Sequence, residues 1–533
     1  MSCSKIFSGD LSELTYDIIK YFQDDFSTLH SCILVNRLWC RLAIPLLWEN
    51  PFSISTKSSK NYNFIEVYLH NLNDDVMTIF KNEYKINGDL FSSNTLFNYP
   101  NFIKYLNTQL IYYSVMEWSK IFRSDNGFFI KDFASVLNFN RLVHMSLFKI
   151  FIENEVNLHT LDIELFSHGD FYYDNFELIL QNPNFIHNVK NLNLYIGYIN
   201  INSSEYMIVK NRTLQIINLH QNLKKIFISF DSFPLYQSLL LSKHYNCSNT
   251  LNIIIFYLID FKGITNLDKV FEQLNVLESV HLVYCSSLNA GFTQQINNLT
   301  KPFKLKSLFI FNGSDIDESL ILLLQKSGDY LENFGYEFDF DNNLTGQELF
   351  EIIIRYCKNI KLFNLYEIKD QIIVDPALNF IESLKQNLNY LSIDVYETGD
   401  AIERSSIILQ NLGQILPPIL EYLNLVLSID SDYFEIFLKN SQNNFIKKLL
   451  INNRGNFYDI LSHIKEYIMK KERIKYLAII NSSKNKKVLG DDELFLLKDE
   501  VKEFESYNIK IQKYYDLHIS DVLNIRTLLK LSW

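Results

Sequence analysis

Cysteine and histidine are the side chains here that could bind a transition metal or act as nucleophiles. The sequence has six cysteines and eleven histidines in 533 residues. Zinc sites need closely spaced ligand pairs or an HExxH helix, and neither spacing occurs. The widely spaced cysteines, with no CxxC pair, are typical of a reducing compartment rather than a disulfide framework. We therefore expect no metal site and no structural disulfides.

The patterns that bind phosphates or position a catalytic serine are also missing. The sequence contains no GxGxxG, GxxxxGK[ST] or GxSxG motif. Cys32 and Cys40 lie at helical spacing, where small apolar packing is the simpler interpretation. Carboxylate pairs such as Asp24–Asp25 lie at predicted helix starts, where capping explains them. We therefore predict no catalytic residues and no cofactor. A hydrolase whose site matches none of these motifs is one alternative.

Composition and charge narrow the classes of partner. The chain is 47% hydrophobic and 21% charged, which is typical of a globular protein. A net charge of −11 and a pI near 5.6 disfavour binding to nucleic acid or to an anionic membrane. The beginning of the sequence lacks an apolar leader segment, and the most apolar window, 251–261, is too short to span a bilayer. We expect a soluble protein of the cytoplasm, the nucleus or both, with no nucleic acid and no membrane partner.

A short apolar motif recurs through most of the chain. Its form is apolar-x-x-apolar-x-apolar, and twelve copies begin 26 to 34 residues apart. The last two apolar residues of each copy lie on one face of a short strand, because side chains alternate along a strand. A weaker copy at Leu142, Met145 and Leu147 precedes the array, and Ile509 with Ile511 forms a last partial copy. The twelve copies begin at Leu158, Val189, Leu223, Leu251, Leu277, Leu305, Leu331, Ile360, Leu388, Leu420, Ile446 and Ile474.

Helix signals fill the intervals between these copies. Asp315 with Glu318, and Thr345 with Glu348, have capping-box spacing ahead of apolar residues at helical period. The alternation predicts an α/β fold, a parallel strand–helix solenoid over residues 141–533. The alternative is an ordinary α/β domain in which the motif matches arose by chance.

The repeated segment resembles the leucine-rich repeat family, whose strand pattern is LxxLxLxx followed by Asn or Cys. The resemblance covers roughly residues 140–510 and implies about twelve to thirteen irregular repeats. Cys285 occupies the Asn/Cys position in one repeat. The sequence departs from the family there in others, which hold Phe166, Gly197, Asp231, Ile259 and Gly313. A continuous asparagine ladder is therefore not expected.

The first fifty residues follow a different pattern. Asp10 and Glu13 predict a helix start, Ser27 predicts the cap of a second helix, and Pro45 predicts the end of a third. Three helices in so short a segment are near the lower limit for independent folding. We therefore expect this unit to share its apolar surface with a partner.

This segment resembles the F-box. The resemblance is carried by Leu11-Ser-Glu-Leu14, Ile18 and the run Leu34-Val35-Asn36-Arg37-Leu38-Trp39, although Ser12 stands where the family usually has proline. It implies an F-box-like domain at 1–50, joined to the repeats by a helical or irregular connector at 51–140. It also implies binding to a Skp-type adaptor and through it to a cullin–RING scaffold. The residues implied to bind the adaptor are Leu11, Leu14, Ile18, Leu29, Leu34, Val35, Trp39 and Leu42.

The strands of such a solenoid line its concave face, and the residues between the inward apolar ones face solvent there. Six residues, each inside the last apolar pair of a copy or just after it, are predicted to bind a protein substrate, because aromatic and acidic side chains suit basic or apolar anchors. Together, the two resemblances imply the substrate-recognition subunit of an SCF-type ubiquitin ligase, which acts by proximity and performs no bond chemistry. The alternative is a leucine-rich repeat scaffold or ligand-binding protein with no ubiquitin role, whose amino-terminal helices only cap the array. The six candidate residues are His281, Phe309, Phe311, Glu337, Tyr366 and Asp394.

Overall fold

The chain divides into two compact units in a computed structural model. The first comprises Met1–Ile254 with Gln273–Val276, and the second comprises Ile255–Glu272 with Leu277–Trp533. The structure describes residues 12–23, 25–54, 62–84, 86, 95–120, 133–165, 177–187, 189–196, 223–229, 248–310, 318–337, 343–454, 457–471, 473–482 and 492–518, with 241 and single positions between 208 and 219.

The first unit begins with helices and continues into parallel strands. Its strands are β1 (Tyr105–Asn107), β2 (Thr160–Leu165), β3 (Asn191–Ile196) and β4 (Lys225–Ser229), and β1, β2 and β3 pair in parallel in that order. Its helices are α1 (Ser12–Lys20), α2 (Phe26–Ile33), α3 (Arg37–Leu47), α4 (Pro51–Ile54), α5 (Phe64–Leu69), α6 (Asp74–Asn82), α7 (Thr108–Trp118), α8 (Phe133–Glu153) and α9 (Asn184–His187).

The second unit alternates strands with helices. Its strands are β5 (Ile253–Tyr257, which begins at the boundary), β6 (Ser279–Val283), β7 (Leu305–Ile310), β8 (Asn333–Glu337), β9 (Leu362–Ile368), β10 (Tyr390–Val395), β11 (Tyr422–Leu427), β12 (Ile446–Asn453), β13 (Ile474–Asn481), β14 (Asp492–Glu493) and β15 (Lys510–Ile511). Its helices are α10 (Leu267–Gln273), α11 (Ala290–Asn297), α12 (Glu318–Ser327), α13 (Asn343–Tyr356), α14 (Val374–Ser383), α15 (Ala401–Ile415), α16 (Ser431–Asn440), α17 (Phe457–Tyr467), α18 (Lys498–Ser506) and α19 (Tyr514–Leu517).

The strands from β6 to β13 pair in parallel in chain order. The last two apolar residues of all twelve predicted copies lie on β2 to β13, so the α/β prediction with parallel strands and intervening helices is confirmed. At the far edge, β14 pairs antiparallel with the end of β13 and β15 pairs parallel with its start. These two short strands cover backbone groups that an exposed edge strand would leave unpaired.

Apolar side chains join the strands to the helices. In the middle of the second unit, Phe334 and Phe363 stack at 5.9 Å across β8 and β9. Phe380 of α14 meets Phe363 edge-on at 4.6 Å, and Phe350 of α13 stacks on Phe380 at 5.2 Å. The motif residues therefore point toward the helices, which leaves the other side of the sheet to the residues between them. We call that other side the strand face.

The predicted start of the second helix and the predicted end of the third each differ from the structure by about two residues. Asp25, not Ser27, caps α2, and its carboxylate accepts a hydrogen bond from the Thr28 amide at 3.1 Å. Helix α3 continues through Pro45 to Leu47. A proline near the end of a helix loses a single backbone bond, so the last turn still forms.

The prediction of a weak repeat at Leu142, Met145 and Leu147 was also wrong, because these residues lie within the long helix α8. The array instead begins at β1, where Leu106 pairs with Leu161 of β2. This strand lies in the segment for which only helical or irregular structure was predicted.

Candidate functional site

The helices α1, α2 and α3 form a small core of their own. Half-buried side chains, among them Trp39 and Leu42, pack against it. A core of this size stabilises the three-helix unit weakly, since each fully buried aliphatic side chain contributes only about 2 kcal/mol. The buried residues are Ile19, Leu29, Cys32, Ala43 and Leu46.

Several apolar side chains of the same helices lie outside this core. Leu34 is 77% exposed, Val35 is 50% exposed and Leu14 is 42% exposed. Phe26, at the start of α2, is exposed to the same degree as Leu14, although it was not among the predicted residues. We call Leu14, Phe26, Leu34 and Val35 the amino-terminal apolar surface. Exposed apolar side chains grouped on one small unit are typical of interaction sites in soluble proteins.

The remaining predicted adaptor residues differ in their positions. Leu29 is buried in the three-helix core, so it supports the surface and does not belong to it. Ile18, Trp39 and Leu42 are half-buried. Leu11 lies outside the described residues.

The end of α3 is joined to the rest of the first unit. The Trp48 ring packs against Tyr99 at 4.2 Å and meets Tyr68 at 5.3 Å. The Glu49 carbonyl accepts hydrogen bonds from the backbone amides of Lys104 and Tyr105. The three helices are thus fixed at one end, whereas the amino-terminal apolar surface stays exposed.

Buried and half-buried polar side chains on β6, β7 and β8 are hydrogen-bonded to one another on the strand face. Both ring nitrogens of His281 are within hydrogen-bond distance of serine hydroxyls, Ser307 at 2.7 Å and Ser279 at 3.1 Å. Asn333 extends the chain by donating to Ser307 at 2.8 Å. His281 is only 2% exposed, so the prediction that it faces solvent was wrong. It acts as a satisfied structural histidine.

An aromatic cluster follows on the next strands. Phe309 lies directly over Gly335, where a Cβ atom would clash with the edge of its ring. Tyr284 contacts both Phe309 and Tyr366, with ring centroids 6.2 and 6.4 Å away. Phe309 is 4% exposed, so the prediction that it faces solvent was also wrong: its ring lies between Gly335 and the Tyr284 ring. Tyr257 joins the cluster beside Tyr284 at 6.2 Å.

The predicted acidic residues lie in different environments. Glu337 pairs in register with Tyr366, and both are half-buried. Asp394 forms an ion pair with Arg454 at 3.0 Å, and the same guanidinium donates to the Val395 carbonyl. The charge of Asp394 is therefore balanced within the chain. Phe311 lies outside the described residues.

The carboxyl-terminal segment covers another part of the strand face, which sequence reasoning missed. Tyr514 of α19 is 2% exposed and lies among Tyr422, Leu450 and Ile480. Its hydroxyl donates to Oδ1 of Asn424 at 2.8 Å. Burial raises the pKa of the Tyr514 phenol well above its ordinary value. The strand face at β11 to β13 is thus occupied by the chain itself.

Across the part of the chain that the structure describes, no group of three His, Cys, Asp or Glu side chains could hold a metal ion. Within those ranges, no helix combines the length and the apolar character needed to cross a bilayer.

Cys285 lies two residues after β6, and its thiol contacts the carbonyl of Phe256 at 3.5 Å. Burial raises the pKa of this thiol to about 12, so the group is protonated at neutral pH.

Comparison with known proteins assigns no family. No family model matches the chain, and a search of curated proteins found no significant match.

Proposed function

We propose that this protein is the substrate-recognition subunit of an SCF-type ubiquitin ligase. In this proposal the amino-terminal apolar surface binds a Skp-type adaptor, which connects the chain to a cullin–RING scaffold. The strand face of the second unit binds a protein substrate. The chain forms and breaks no bonds; it raises the effective concentration of a substrate lysine near the conjugating enzyme.

The observation that carries the proposal is the exposure of Leu34 and Val35 beside a packed three-helix core. A cap that only closed a repeat array would bury such residues against the chain, because exposed aliphatic side chains gain nothing from solvent. The motif Leu34-Val35-Asn36-Arg37-Leu38-Trp39, in which the F-box resemblance is strongest, contains both residues.

Affinity purification tests this assignment. The informative variant is Leu34→Asp with Val35→Asp, because both side chains are exposed and their replacement leaves the core intact. Trp39→Ala is less useful, because Trp39 packs on the core and its loss would destabilise the helices. The matched control is Ile402→Asp, an exposed aliphatic residue of α15 in the second unit.

Adaptor and cullin peptides should be recovered with the wild type and the control and lost with the double variant. Equal thermal unfolding of all three proteins would show that the loss is not a folding defect. Recovery that is equal for all, or absent for all, would favour the alternative of a repeat scaffold with no ubiquitin role.

A further inference from the structure

The contact between Tyr514 and Asn424 shows how the strand face accepts a side chain. The tyrosine ring lies on apolar neighbours from β11 to β13, and its hydroxyl donates to the Asn424 amide oxygen. The Asn424 amide in turn donates to the Ser392 hydroxyl at 3.0 Å. An aromatic ring with a polar tip is therefore a group that this face binds well.

Asn364 is a second asparagine of the strand face, two strands away from Asn424. It pairs in register with Ser392, which pairs with Asn424, so the two asparagines lie in one row about 10 Å apart. Asn364 is 7% exposed, and its Oδ1 is buried without a hydrogen-bond partner. A buried amide oxygen without a partner costs free energy, so the side chain gains little from holding its oxygen inward. Rotation of the amide would exchange its oxygen and nitrogen, so the group can present an acceptor outward.

The surroundings of Asn364 also suit an aromatic group. Its neighbour in register on β8 is Gly335, whose missing side chain leaves that side to the Phe309 ring. Tyr366 follows two residues later on the same strand and points to the same face. An incoming ring would therefore meet the half-buried Tyr366 ring beside the amide, as Tyr514 meets Tyr422 beside Asn424.

We propose that Asn364 anchors a binding site for a tyrosine side chain of the substrate polypeptide. The ring packs beside Tyr366, and the phenol hydroxyl donates a hydrogen bond to the Asn364 amide oxygen. This inference rests on the proposed role of the strand face in substrate binding. It narrows the substrate class to polypeptides that present an accessible tyrosine.

A selection from random dodecapeptides displayed on phage, with the full chain as bait, tests the site. Enriched peptides should share a tyrosine. Fluorescence polarisation with the best peptide should show about tenfold weaker binding after Asn364→Leu, and a similar loss when the peptide tyrosine becomes phenylalanine. The two losses should not add, because they remove the same hydrogen bond.

Two controls separate binding from folding. Asn364→Leu should unfold at a urea concentration equal to or above that of the wild type, since it removes a buried amide oxygen without a partner. Asn411→Leu, on the exposed side of α15, should leave peptide binding unchanged. Selection of no peptides, of peptides without tyrosine, or of peptides that bind Asn364→Leu within twofold of wild type would overturn the site. Adaptor binding by the wild type in that case would show that the proposed function survives without it.

Discussion

The hydroxyl of Tyr284 donates a hydrogen bond of 3.1 Å to the hydroxyl of Tyr366, 82 residues further along the chain. Tyr284 follows β6 and Tyr366 lies on β9, so the contact passes over β7 and β8. Phe309 of β7 contacts the Tyr284 ring. This contact links strands that are not neighbours and defines one border of the Asn364 site.

We predict that the two tyrosines are energetically coupled. Tyr284→Phe and Tyr366→Phe should each lower the free energy of unfolding by about 1 kcal/mol, and the double variant should lose less than the sum. Urea unfolding of the four proteins gives the coupling energy. Strict additivity would mean that the hydroxyl contact contributes nothing to stability.

Gly335 should tolerate no larger residue while Phe309 is present. Gly335→Ala forces the Phe309 ring from its position and should cost about 1–3 kcal/mol of stability. Phe309→Leu in the same chain should relieve part of this cost, because the ring edge is then gone. If Gly335→Ala unfolds like the wild type, the close contact between the ring and β8 does not exist in solution.

The carboxyl-terminal helix α19 should stabilise the second unit through Tyr514. Tyr514→Phe removes only the hydrogen bond to Asn424 and should cost about 1 kcal/mol. Tyr514→Ala also empties the apolar contacts and should cost about 3–5 kcal/mol. Tyr515→Ala is the matched control, because its side chain is exposed. Urea unfolding gives the free energy of unfolding of all three variants. An equal, small loss in each would mean that Tyr514 does not pack on the strand face.

The buried thiol of Cys285 predicts a dependence of stability on alkaline pH. Burial raises the pKa of Cys285 from 9.0 to about 12 in the folded chain, so the folded state keeps the proton that the unfolded state loses. This contribution is fully present below pH 9.0 and is lost as the pH rises toward 12.

Urea unfolding measured below pH 9.0 and midway between 9.0 and 12 checks this sign. Over that interval, Cys285→Ala should lose about 2 kcal/mol less stability than the wild type. The other ionisable groups are common to both proteins and cancel in the comparison. The same pH dependence in both would mean that solvent reaches the thiol.

The strands were predictable because their pattern is local and repeated. Each copy places two apolar residues on one face of a strand, and twelve copies at similar spacing leave little ambiguity about period. The copy at Leu142 failed because a single apolar triplet also fits a helix, and Val143, Leu147 and Phe151 are buried at helical spacing in α8. Strand β1 was missed because it is three residues long and Leu106 is its one aliphatic residue.

The strand face was less predictable because it depends on register and on distant segments. The pairing shifts between Val280 and His281, so His281 lies beside Ser307 and Val283 lies beside Phe309. No local pattern signals that shift. The covering of Asn424 by Tyr514 joins residues 90 positions apart, which sequence period alone does not reveal.

Adaptor binding measured with purified proteins tests the proposed function directly. In isothermal titration of a Skp-type adaptor into the full chain, the wild type should bind, and Leu34→Asp with Val35→Asp should weaken binding by about a hundredfold or more, the loss expected when two central apolar contacts become charged. Ile402→Asp should bind like the wild type. A wild-type chain that gives no binding heat, or a double variant that binds as tightly as the wild type, would contradict the proposed function.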